Sequence, residues 1–364
     1  MIFQANPGAT YTAYQAEIDA AIQRVLSNGW YILGKEVEAF ESEFAIFCEV
    51  NHAVGVANGT DAIELALRAL DIGVGDEVIT TGHTAVATVA AVELAGAVPV
   101  LVDIEPEFYT LDPIAVEQAI TSHTKAIIAV HLYGMPANLT ALQKIAEDHH
   151  LYLIEDCAQA HGARYQGSRV GSTGIIGTFS FYPTKNLGAF GDGGAVVTQD
   201  TSLYERMKAL RQYGWRSRYI SDNTGMNSRL DELQAAILRV KLRYLENDNQ
   251  KRRDLARIYD EALNSSSLLR PAVRQGTEHV YHLYVVQVDE REALIQKLRE
   301  HGVGTGIHYP QPIHRQPAYH GRVRTVPEDL PALMSVTPKI LSLPLYPELS
   351  VDDVHYVAKT IVEE

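Results

Sequence analysis

From about residue 52 to residue 200, the sequence alternates short apolar segments with amphipathic helical patterns. Ile63, Leu67 and Leu70, for example, fall at the i, i+4 and i+7 spacing of one helix face. Apolar strands separated by helices are typical of a mostly parallel sheet that is covered on both faces. We therefore predict an α/β fold with the strands His52–Ala57, Glu77–Thr80, Val98–Asp103, Ala126–His131, Leu151–Glu155, Thr178–Phe181 and Ala195–Thr198.

Candidate binding residues follow the first predicted strand. Ligands of such sheets bind at the carboxyl ends of the strands, and Asn58-Gly59-Thr60-Asp61 begins a helix at such an end. The N–H groups of Gly59 and Thr60 at the helix N-terminus can bind a phosphate. A plain helix cap explains the same residues without a ligand, because Asp61 and Glu64 have the spacing of a capping box.

Asp156 and Lys185 form the most informative pair in the chain. Asp156 ends the strand Leu151–Glu155, and Lys185 lies 29 residues further on, in a turn after another strand. Pyridoxal phosphate (PLP) needs an amine to condense with its aldehyde and a carboxylate to keep its pyridine nitrogen protonated. Ser180 can reach the same phosphate and Gln159 the ring. The alternative is that these residues are structural and never meet.

The remainder of the chain predicts a second, smaller unit. Residues 230 to 263 contain no Gly or Pro and predict a long helix with a break near Asn247. A strand over His279–Val288, a helix opened by Asp289 and a last helix capped by Ser350 follow. We predict a large domain with its N-terminal segment at 1–249 and a small α+β domain at 250–364.

Charge excludes some partners. The chain has 31 Lys and Arg against 45 Asp and Glu, a net charge of −14, and no basic run. This balance argues against nucleic acid and anionic membranes as partners. An anionic substrate then needs local cations, and Arg206, Lys208, Arg211, Arg216 and Arg218 form the best candidate cluster. A solvated helix face explains these residues equally well.

The sequence favours a cytoplasmic protein. It has only two cysteines, Cys48 and Cys157, so no disulfide framework is encoded. The N-terminus lacks the charged and apolar regions of a signal peptide. No apolar segment has the length required to span a bilayer.

The sequence does not support an NTPase, a dinucleotide-binding fold or a metal site. Gly29–Lys35 matches most of a phosphate-binding P-loop, but Glu36 stands where a hydroxyl must bind magnesium. No glycine cluster matches a dinucleotide fingerprint, and no His or Cys spacing predicts a metal site. His308-Tyr309-Pro310 is a candidate substrate contact in the second unit, with a proline-stiffened loop as the alternative.

Taken together, these residues resemble fold type I PLP enzymes and, more narrowly, the DegT/StrS family of sugar-nucleotide aminotransferases. The resemblance covers essentially the whole chain and implies a seven-stranded, mainly parallel sheet. The motifs that carry it are Gly29-Trp-Tyr-Ile-Leu-Gly34, Asn58-Gly-Thr-Asp-Ala62, Glu155-Asp-Cys-Ala-Gln159, Ser180-Phe-Tyr-Pro-Thr-Lys185-Asn186, Gly225-Met-Asn-Ser-Arg-Leu-Asp-Glu-Leu-Gln-Ala-Ala236 and His308-Tyr-Pro310.

The resemblance also implies residue roles. Lys185 bonds the cofactor, Asp156 pairs with its pyridinium, and Gln159 contacts its ring. The phosphate ligands are Gly59, Thr60 and Ser180. Asn227 resembles the asparagine that reaches the phosphate of the neighbouring subunit, which implies a homodimer with shared sites. Residues implied at the sugar-nucleotide site are Tyr31, His308 and Tyr309.

The implied reaction is transamination with L-glutamate as amino donor, in deoxysugar, polysaccharide or O-antigen biosynthesis. The segment around Lys185 looks most like the branch that acts on dTDP-3-keto-6-deoxyhexoses at C3. The alternatives are a 4-keto-sugar aminotransferase, a PLP-dependent sugar dehydratase and a non-catalytic PLP-binding regulator. A dehydratase branch carries histidine in place of the lysine, so Lys185 favours transamination. Ala85 stands where the family often has a ring-stacking aromatic, and His83 is a candidate substitute.

Overall fold

The computed structural model describes residues 1–363. Its helices are α1 (Pro7–Ala13), α2 (Gln15–Asn28), α3 (Lys35–Phe47), α4 (Gly59–Ala69), α5 (Val86–Leu94), α6 (Pro113–Ala119), α7 (Leu139–Asp148), α8 (Thr201–Leu210), α9 (Glu232–Leu242), α10 (Leu245–Ala262), α11 (Arg291–Glu300), α12 (Pro331–Val336) and α13 (Val351–Val362). Short 3-10 turns lie at Leu132–Gly134 and Ile313–Arg315.

The strands are β1 (His52–Val56), β2 (Glu77–Thr81), β3 (Val98–Val102), β4 (Ile104–Glu105), β5 (Thr110–Leu111), β6 (Thr124–Val130), β7 (Tyr152–Asp156), β8 (Arg164–Tyr165), β9 (Ser168–Arg169), β10 (Ile176–Ser180), β11 (Gly194–Thr198), β12 (Trp215–Ser217), β13 (Ile220–Ser221), β14 (Thr277–Glu278), β15 (Tyr284–Gln287), β16 (Arg324–Val326) and β17 (Ile340–Leu343).

One large sheet organises the molecule, in the order β1-β11-β10-β7-β6-β2-β3-β16. All its strands run parallel except β11, which pairs antiparallel with both neighbours. The seven strands predicted from the sequence are all present, and the α/β fold is confirmed. The short strand β16, which comes from the C-terminal part of the chain, extends the sheet as an eighth member.

Both faces of this sheet are buried. Side chains alternate across a strand, so consecutive residues belong to different layers of the core. On β7, Leu153 packs in one hydrophobic cluster and Ile154 in the other. Val197 and Val196 of β11 divide in the same way. This arrangement explains why the strands are continuously apolar in sequence rather than alternating.

The C-terminal part has a hydrophobic cluster of its own. Its buried members all lie between Leu255 and Ala358. They pack around the antiparallel pair β15 and β17 and the helices α10, α11 and α13. The division at residue 249 stays a prediction, and this position falls inside α10. Ser350 caps α13 as predicted, because its hydroxyl accepts a hydrogen bond from Asp353 N at 3.0 Å.

Two boundaries differ from prediction. The break in the long helix lies between Leu242 and Leu245, not near Asn247. At that junction the ring of Tyr244 stacks on Tyr14, with 4.1 Å between centroids. Asn249, one of the polar residues that suggested the break, instead donates from its side chain to His161 O at 2.8 Å. Tertiary contacts therefore outweigh the local propensity.

The predicted strand His279–Val288 is also shorter in the structure. Only Tyr284–Gln287 forms a strand, β15. Tyr281 has a left-handed φ of 43°, and its N–H donates to His279 Nδ1 at 2.8 Å. The chain therefore turns before β15 begins.

Candidate active site

The helix after β1 begins at a polar N-cap. Asn58 is its N-cap, and its side chain accepts a hydrogen bond from Asp61 N at 2.9 Å. The capping box of Asp61 and Glu64 is therefore wrong, and Glu64 pairs instead with Arg68. The N–H groups of Gly59 and Thr60, in the first helical turn, have no intrahelical acceptor. They remain free to bind an anion at the carboxyl edge of the sheet.

Gly59 lies against Ser180, at the end of β10. A Cβ atom on Gly59 would stand 2.7 Å from Ser180 Cβ and 3.3 Å from Ser180 Oγ. Only glycine fits this approach without displacing the strand. The contact brings the serine hydroxyl beside the start of α4, so the two predicted phosphate-binding elements adjoin in the structure. We refer to Gly59, Thr60 and Ser180 as the phosphate cradle.

Asp156 is buried at the end of β7. Its Oδ1 accepts a hydrogen bond from Ala158 N at 3.1 Å, and its Oδ2 accepts one from Thr88 Oγ1 at 2.9 Å. Burial raises the pKa of Asp156, and these two bonds and the charge of Lys185 oppose that shift. Each carboxylate oxygen retains acceptor capacity, which suits a protonated pyridine nitrogen. Thr88 was not identified from the sequence, since no motif surrounds it.

The turn that carries Lys185 is fixed by several contacts. Lys185 N donates to Tyr182 O at 2.8 Å. The side chain of Asn186 donates to Asn249 Oδ1 at 2.9 Å and to Val280 O at 3.0 Å. Lys241 Nζ donates to Gly188 O. Helices α9 and α10 thus hold the segment that follows the lysine.

Lys185 lies in an environment that favours its neutral amine. Burial lowers its pKa to about 8, and the charge of Asp156 opposes that shift. Two buried histidines, His161 and His282, and the half-buried His308 have pKa values lowered by burial and by the charge of Lys185. A cavity of about 250 Å³ opens beside Lys185, and His282 and His308 also line it. The amine is therefore accessible and surrounded by uncharged imidazoles.

A hydrogen-bond network connects the second unit to this site. Gln159 Oε1 accepts from Tyr133 N at 2.8 Å, and Gln159 Nε2 donates to Tyr309 OH at 3.0 Å. Tyr133 OH donates to His308 O. The predicted residues Gln159, His308 and Tyr309 therefore meet near Asp156 and Lys185. Tyr133 has no sequence signal, because its role depends on a left-handed φ of 61° in the turn after β6.

His83 is not placed as an open stacking surface. It is only 2% exposed, and its Nε2 lies 2.7 Å from Tyr133 OH. Burial lowers its pKa to about 3. These contacts argue against His83 as the substitute for a stacking aromatic. Ala85 itself immediately precedes α5 and lines an open cavity of about 470 Å³ together with Tyr309.

Two predicted residues lie on the surface of the chain. Tyr31 is 50% exposed, and the side chain of Asn227 is also exposed. Within residues 1–363, neither lines the cavity beside Lys185. The neighbouring Ser228 donates to Asp61 Oδ2 at 2.6 Å and accepts from Ala57 N at 3.0 Å. This anchor fixes Asn227 at the outer edge of the sheet.

The predicted cationic cluster is not a single site. Arg206 pairs with Asp71 at 2.7 Å. Arg211 is buried and donates to Gly55 O at 2.8 Å, with Glu41 as its ionic partner. The prediction of a joint anion site is therefore wrong for these two arginines. Arg206 instead binds α8 to the segment after α4, and Arg211, the C-cap residue of α8, binds it to β1 and α3.

The segment resembling a P-loop, Gly29–Lys35, contacts a carboxylate of the protein itself. The N–H groups of Gly34, Glu36 and Val37 donate to the carboxylate of Glu232 at 2.8, 3.0 and 2.9 Å. A carboxylate from α9 therefore occupies the N-terminus of α3, where a nucleotide phosphate would have to bind. The structure agrees with the rejection of an NTPase.

A buried group of His131, Glu155 and Cys157 has ligand atoms within 4.8 Å of one another, and it was not found from sequence spacing. Glu155 Oε2 lies 2.9 Å from His131 Nε2. The carboxylate also accepts hydrogen bonds from the N–H groups of Gly171, Thr173 and Gly174. Because these donors satisfy it, we interpret Glu155 as the structural anchor of that turn.

These residues fit PLP. The cradle matches a phosphate, Asp156 matches a pyridinium, and Lys185 is an accessible amine of lowered pKa. A family model described as the DegT/DnrJ/EryC1/StrS aminotransferase family matches residues 12–362. Aminotransferases of this family use PLP.

Individual relatives span nearly the whole chain. A dTDP-3-amino-3,4,6-trideoxy-alpha-D-glucose transaminase from Streptomyces venezuelae is 49% identical over 94% of this chain and 90% of its own length. A dTDP-3-amino-3,6-dideoxy-alpha-D-galactopyranose transaminase from Aneurinibacillus thermoaerophilus is 48% identical over 96% and 95%.

Solved structures agree with the sequence relatives. The X-ray structure of S. venezuelae DesV in complex with a ketimine intermediate superposes with a TM-score of 0.96 at 47% identity, covering 99% of this chain and 97% of that one. The Bacillus subtilis structure of ntda with bound cofactor PMP gives a TM-score of 0.87 at 31% identity, covering 95% and 82%. The chain therefore belongs to the DegT/DnrJ/EryC1/StrS aminotransferase family and is a PLP-dependent aminotransferase.

Proposed function

We propose that this enzyme transfers an amino group from L-glutamate to C3 of a dTDP-3-keto-6-deoxyhexose. The observation that carries the proposal is that Asp156 at the end of β7, the Lys185 turn after β10 and the phosphate cradle lie at one edge of the sheet. Fold alone would not indicate a reaction, whereas an amine under the charge of a buried carboxylate, together with an anion site at the same sheet edge, matches a single cofactor.

The residues divide the work of holding the cofactor. The cradle binds its phosphate through the N–H groups of Gly59 and Thr60 and the hydroxyl of Ser180. Asp156 would keep the pyridine nitrogen protonated, and Lys185 Nζ would be the amine that holds the aldehyde carbon. When bound, PLP supplies an electron sink for the carbon next to the transferred amine. Gln159, whose Oε1 accepts a hydrogen bond from Tyr133 N, would contact the ring.

Lys185 is also the proposed general base. With its amine free, Lys185 Nζ would take the proton from the donor Cα and hold it within the site. A pKa of about 8 suits that role, because general bases work best when their pKa lies near the working pH. The neutral imidazoles around it add no charge that would lower its basicity further at neutral pH.

The substrate assignment rests on the relatives and on the position of the second unit. Two relatives at 48–49% identity are transaminases of dTDP-3-amino sugars. His308 and Tyr309 lie beside Lys185 and Gln159, where they can contact the hexose of a bound nucleotide sugar. Tyr31 would reach the substrate from the partner subunit.

We further propose a homodimer with shared sites. Trp30, Tyr31 and Ile32 are consecutive and 64%, 50% and 42% exposed, which is unusual for large apolar side chains on a monomer surface. Asn227, also exposed, would complete the phosphate site of the partner. A cytoplasmic location fits the two buried free cysteines, Cys48 and Cys157. Among residues 1–363, no helix has both the length and the apolar character needed to cross a membrane.

The test uses enzyme that carries the amino form of the cofactor. It is mixed separately with 3-keto and 4-keto dTDP-6-deoxyhexoses, and the return of the lysine-bound cofactor absorbance is followed. We expect efficient return with the 3-keto sugar. Return with only the 4-keto sugar would identify a 4-aminotransferase. Return with neither would favour the dehydratase or the regulator, which are then separated by assaying sugar dehydration.

A further inference from the structure

A hydroxyl relay reaches the carboxylate that faces the cofactor. Thr88, on α5, is 1% exposed, and its Oγ1 donates to Asp156 Oδ2 at 2.9 Å. Thr84 Oγ1 lies 3.0 Å from Thr88 Oγ1. A hydroxyl has one proton to donate, and Thr88 gives its proton to the carboxylate. Thr84 is therefore the donor in the second contact, and the relay runs from Thr84 through Thr88 to Asp156.

The hydrogen bond from Thr88 to Asp156 differs from the usual hydrogen bond of a threonine in a helix. Buried helical threonines commonly donate to the carbonyl four residues earlier. Thr360 of α13 does so, to Tyr356 O, and Thr337, the C-cap residue of α12, donates likewise to Leu333 O, each at 2.8 Å. Thr88 instead directs its proton across the interface between α5 and β7. The contact is tertiary, and its acceptor is the buried carboxylate whose charge acts on Lys185.

The Asp156 carboxylate accepts one hydrogen bond from the backbone and one from the relay. Ala158 N binds Oδ1 and Thr88 binds Oδ2, so both oxygens are fixed and the plane of the carboxylate is set. Both bonds also favour the ionised form against the effect of burial, which raises the pKa of Asp156. Ala158 donates from the backbone, whereas Thr88 is the donor that depends on residue type.

We propose that Thr88 is a positioning residue for transamination, orienting Asp156 and keeping it ionised so that the pyridine nitrogen stays protonated. Thr84 supports it by donating to the Thr88 hydroxyl. The inference rests on the proposed role of Asp156 as the partner of that nitrogen. Neither threonine is a catalytic residue, because each acts through Asp156.

The experiment compares holoenzyme variants reconstituted with PLP labelled with ¹⁵N in the ring. Thr88→Val keeps the shape of the side chain and removes the donor, whereas Thr88→Ser keeps the donor. Thr360→Val, a buried helical threonine remote from the site, is the matched control. The ¹⁵N chemical shift reports protonation of the pyridine nitrogen, and rapid mixing with L-glutamate gives the rate and the apparent affinity of the first half-reaction.

We expect Thr88→Val to move the ¹⁵N signal toward the unprotonated nitrogen and to slow the half-reaction roughly tenfold. Glutamate affinity should change by less than about twofold, since Thr88 does not touch substrate. Thr88→Ser should restore both readouts, and Thr360→Val should change neither. If Thr88→Val does not fold, Thr84→Val replaces it, with a smaller shift in the same direction expected.

Two results would overturn the proposal, and they differ in meaning. An unchanged ¹⁵N signal and rate in the threonine variant, with both altered in Asp156→Asn, would exclude Thr88 and leave the role of Asp156 intact. If Asp156→Asn also leaves both readouts unchanged, the assigned partner of the pyridine nitrogen is wrong and the relay has no function.

Discussion

Gly59 and Ser180, 121 positions apart in the chain, approach so closely that a Cβ on Gly59 would stand 2.7 Å from that of Ser180. The approach joins the carboxyl ends of β1 and β10, which are separated in the sheet by the antiparallel strand β11. It places a helix N-terminus and a hydroxyl around one point, which is the geometry that a phosphate requires.

Gly59→Ala should therefore weaken PLP binding while the fold is retained. The added methyl group must displace Ser180 or the start of α4, and either shift opens the cradle. We expect the dissociation constant for PLP to rise on the order of tenfold or more, which corresponds to about 1.4 kcal/mol. Gly73→Ala is the control, because its nearest neighbour stands at 3.4 Å. Equal PLP affinity in both variants would contradict the assignment of the cradle.

The covalent bond to the cofactor should form at Lys185 alone. Burial lowers the pKa of both Lys185 and Lys241 to about 8, so reactivity by itself does not separate them. Of these two lysines, only Lys185 has a pKa affected by the charge of Asp156. Lys241 Nζ instead donates a hydrogen bond to Gly188 O. Borohydride reduction of the holoenzyme and peptide mass mapping should locate the adduct on Lys185. An adduct on Lys241 would refute the geometry.

Covalent capture of PLP by the apoprotein should depend on pH in a specific way. Only the neutral amine condenses with the aldehyde, and the pKa of Lys185 is lowered from 10.5 to about 8. The capture rate should accordingly rise with pH and level off above about 8, rather than continue to rise toward 10.5. Stopped-flow absorbance across this range gives the midpoint. A midpoint near 10 would mean that the pocket does not desolvate the lysine.

Asp156→Asn and Glu155→Gln should have different effects, although the residues are adjacent. Asn preserves shape but removes the charge opposite the pyridinium, so we expect the glutamate half-reaction to slow about a hundredfold with PLP still bound. Gln in place of Glu155 presents an NH2 group where Gly171, Thr173 and Gly174 donate, and should lower the free energy of unfolding by about 1–3 kcal/mol. Rapid kinetics and chemical denaturation measure the two effects. Wild-type turnover of Asp156→Asn would make that carboxylate structural.

Mixing two inactive variants should restore activity. If Asn227 completes the partner's site, a heterodimer of Asn227→Ala and Lys185→Ala has one site with both lesions and one with neither. Activity should reappear after subunit exchange, which mass spectrometry of differently tagged chains can verify. Exchange without recovery would place Asn227 in its own chain's site or in no site.

Local sequence patterns determined the main sheet and most of the site. Continuous apolar strands followed by helical patterns can bury both faces only as a parallel layer, and the carboxyl ends of such strands share one edge. Asp156 and Ser180 end strands, and Gly59 opens a helix, so their approximate meeting place followed from the pattern. Ser350 likewise capped α13 because a cap is set by residues within one turn.

Tertiary structure alone decided what holds these residues and what they face. The Thr88 contact with Asp156, the left-handed Tyr133 that binds Gln159, and the Glu232 carboxylate at the start of α3 all join positions distant in the chain. Contacts between elements also decided where the long helix breaks, at Tyr244. They decided too that Arg206 pairs with Asp71 and Arg211 with Glu41. A side chain's propensity and charge are properties of the sequence, but its partner depends on packing between elements, which no local pattern encodes.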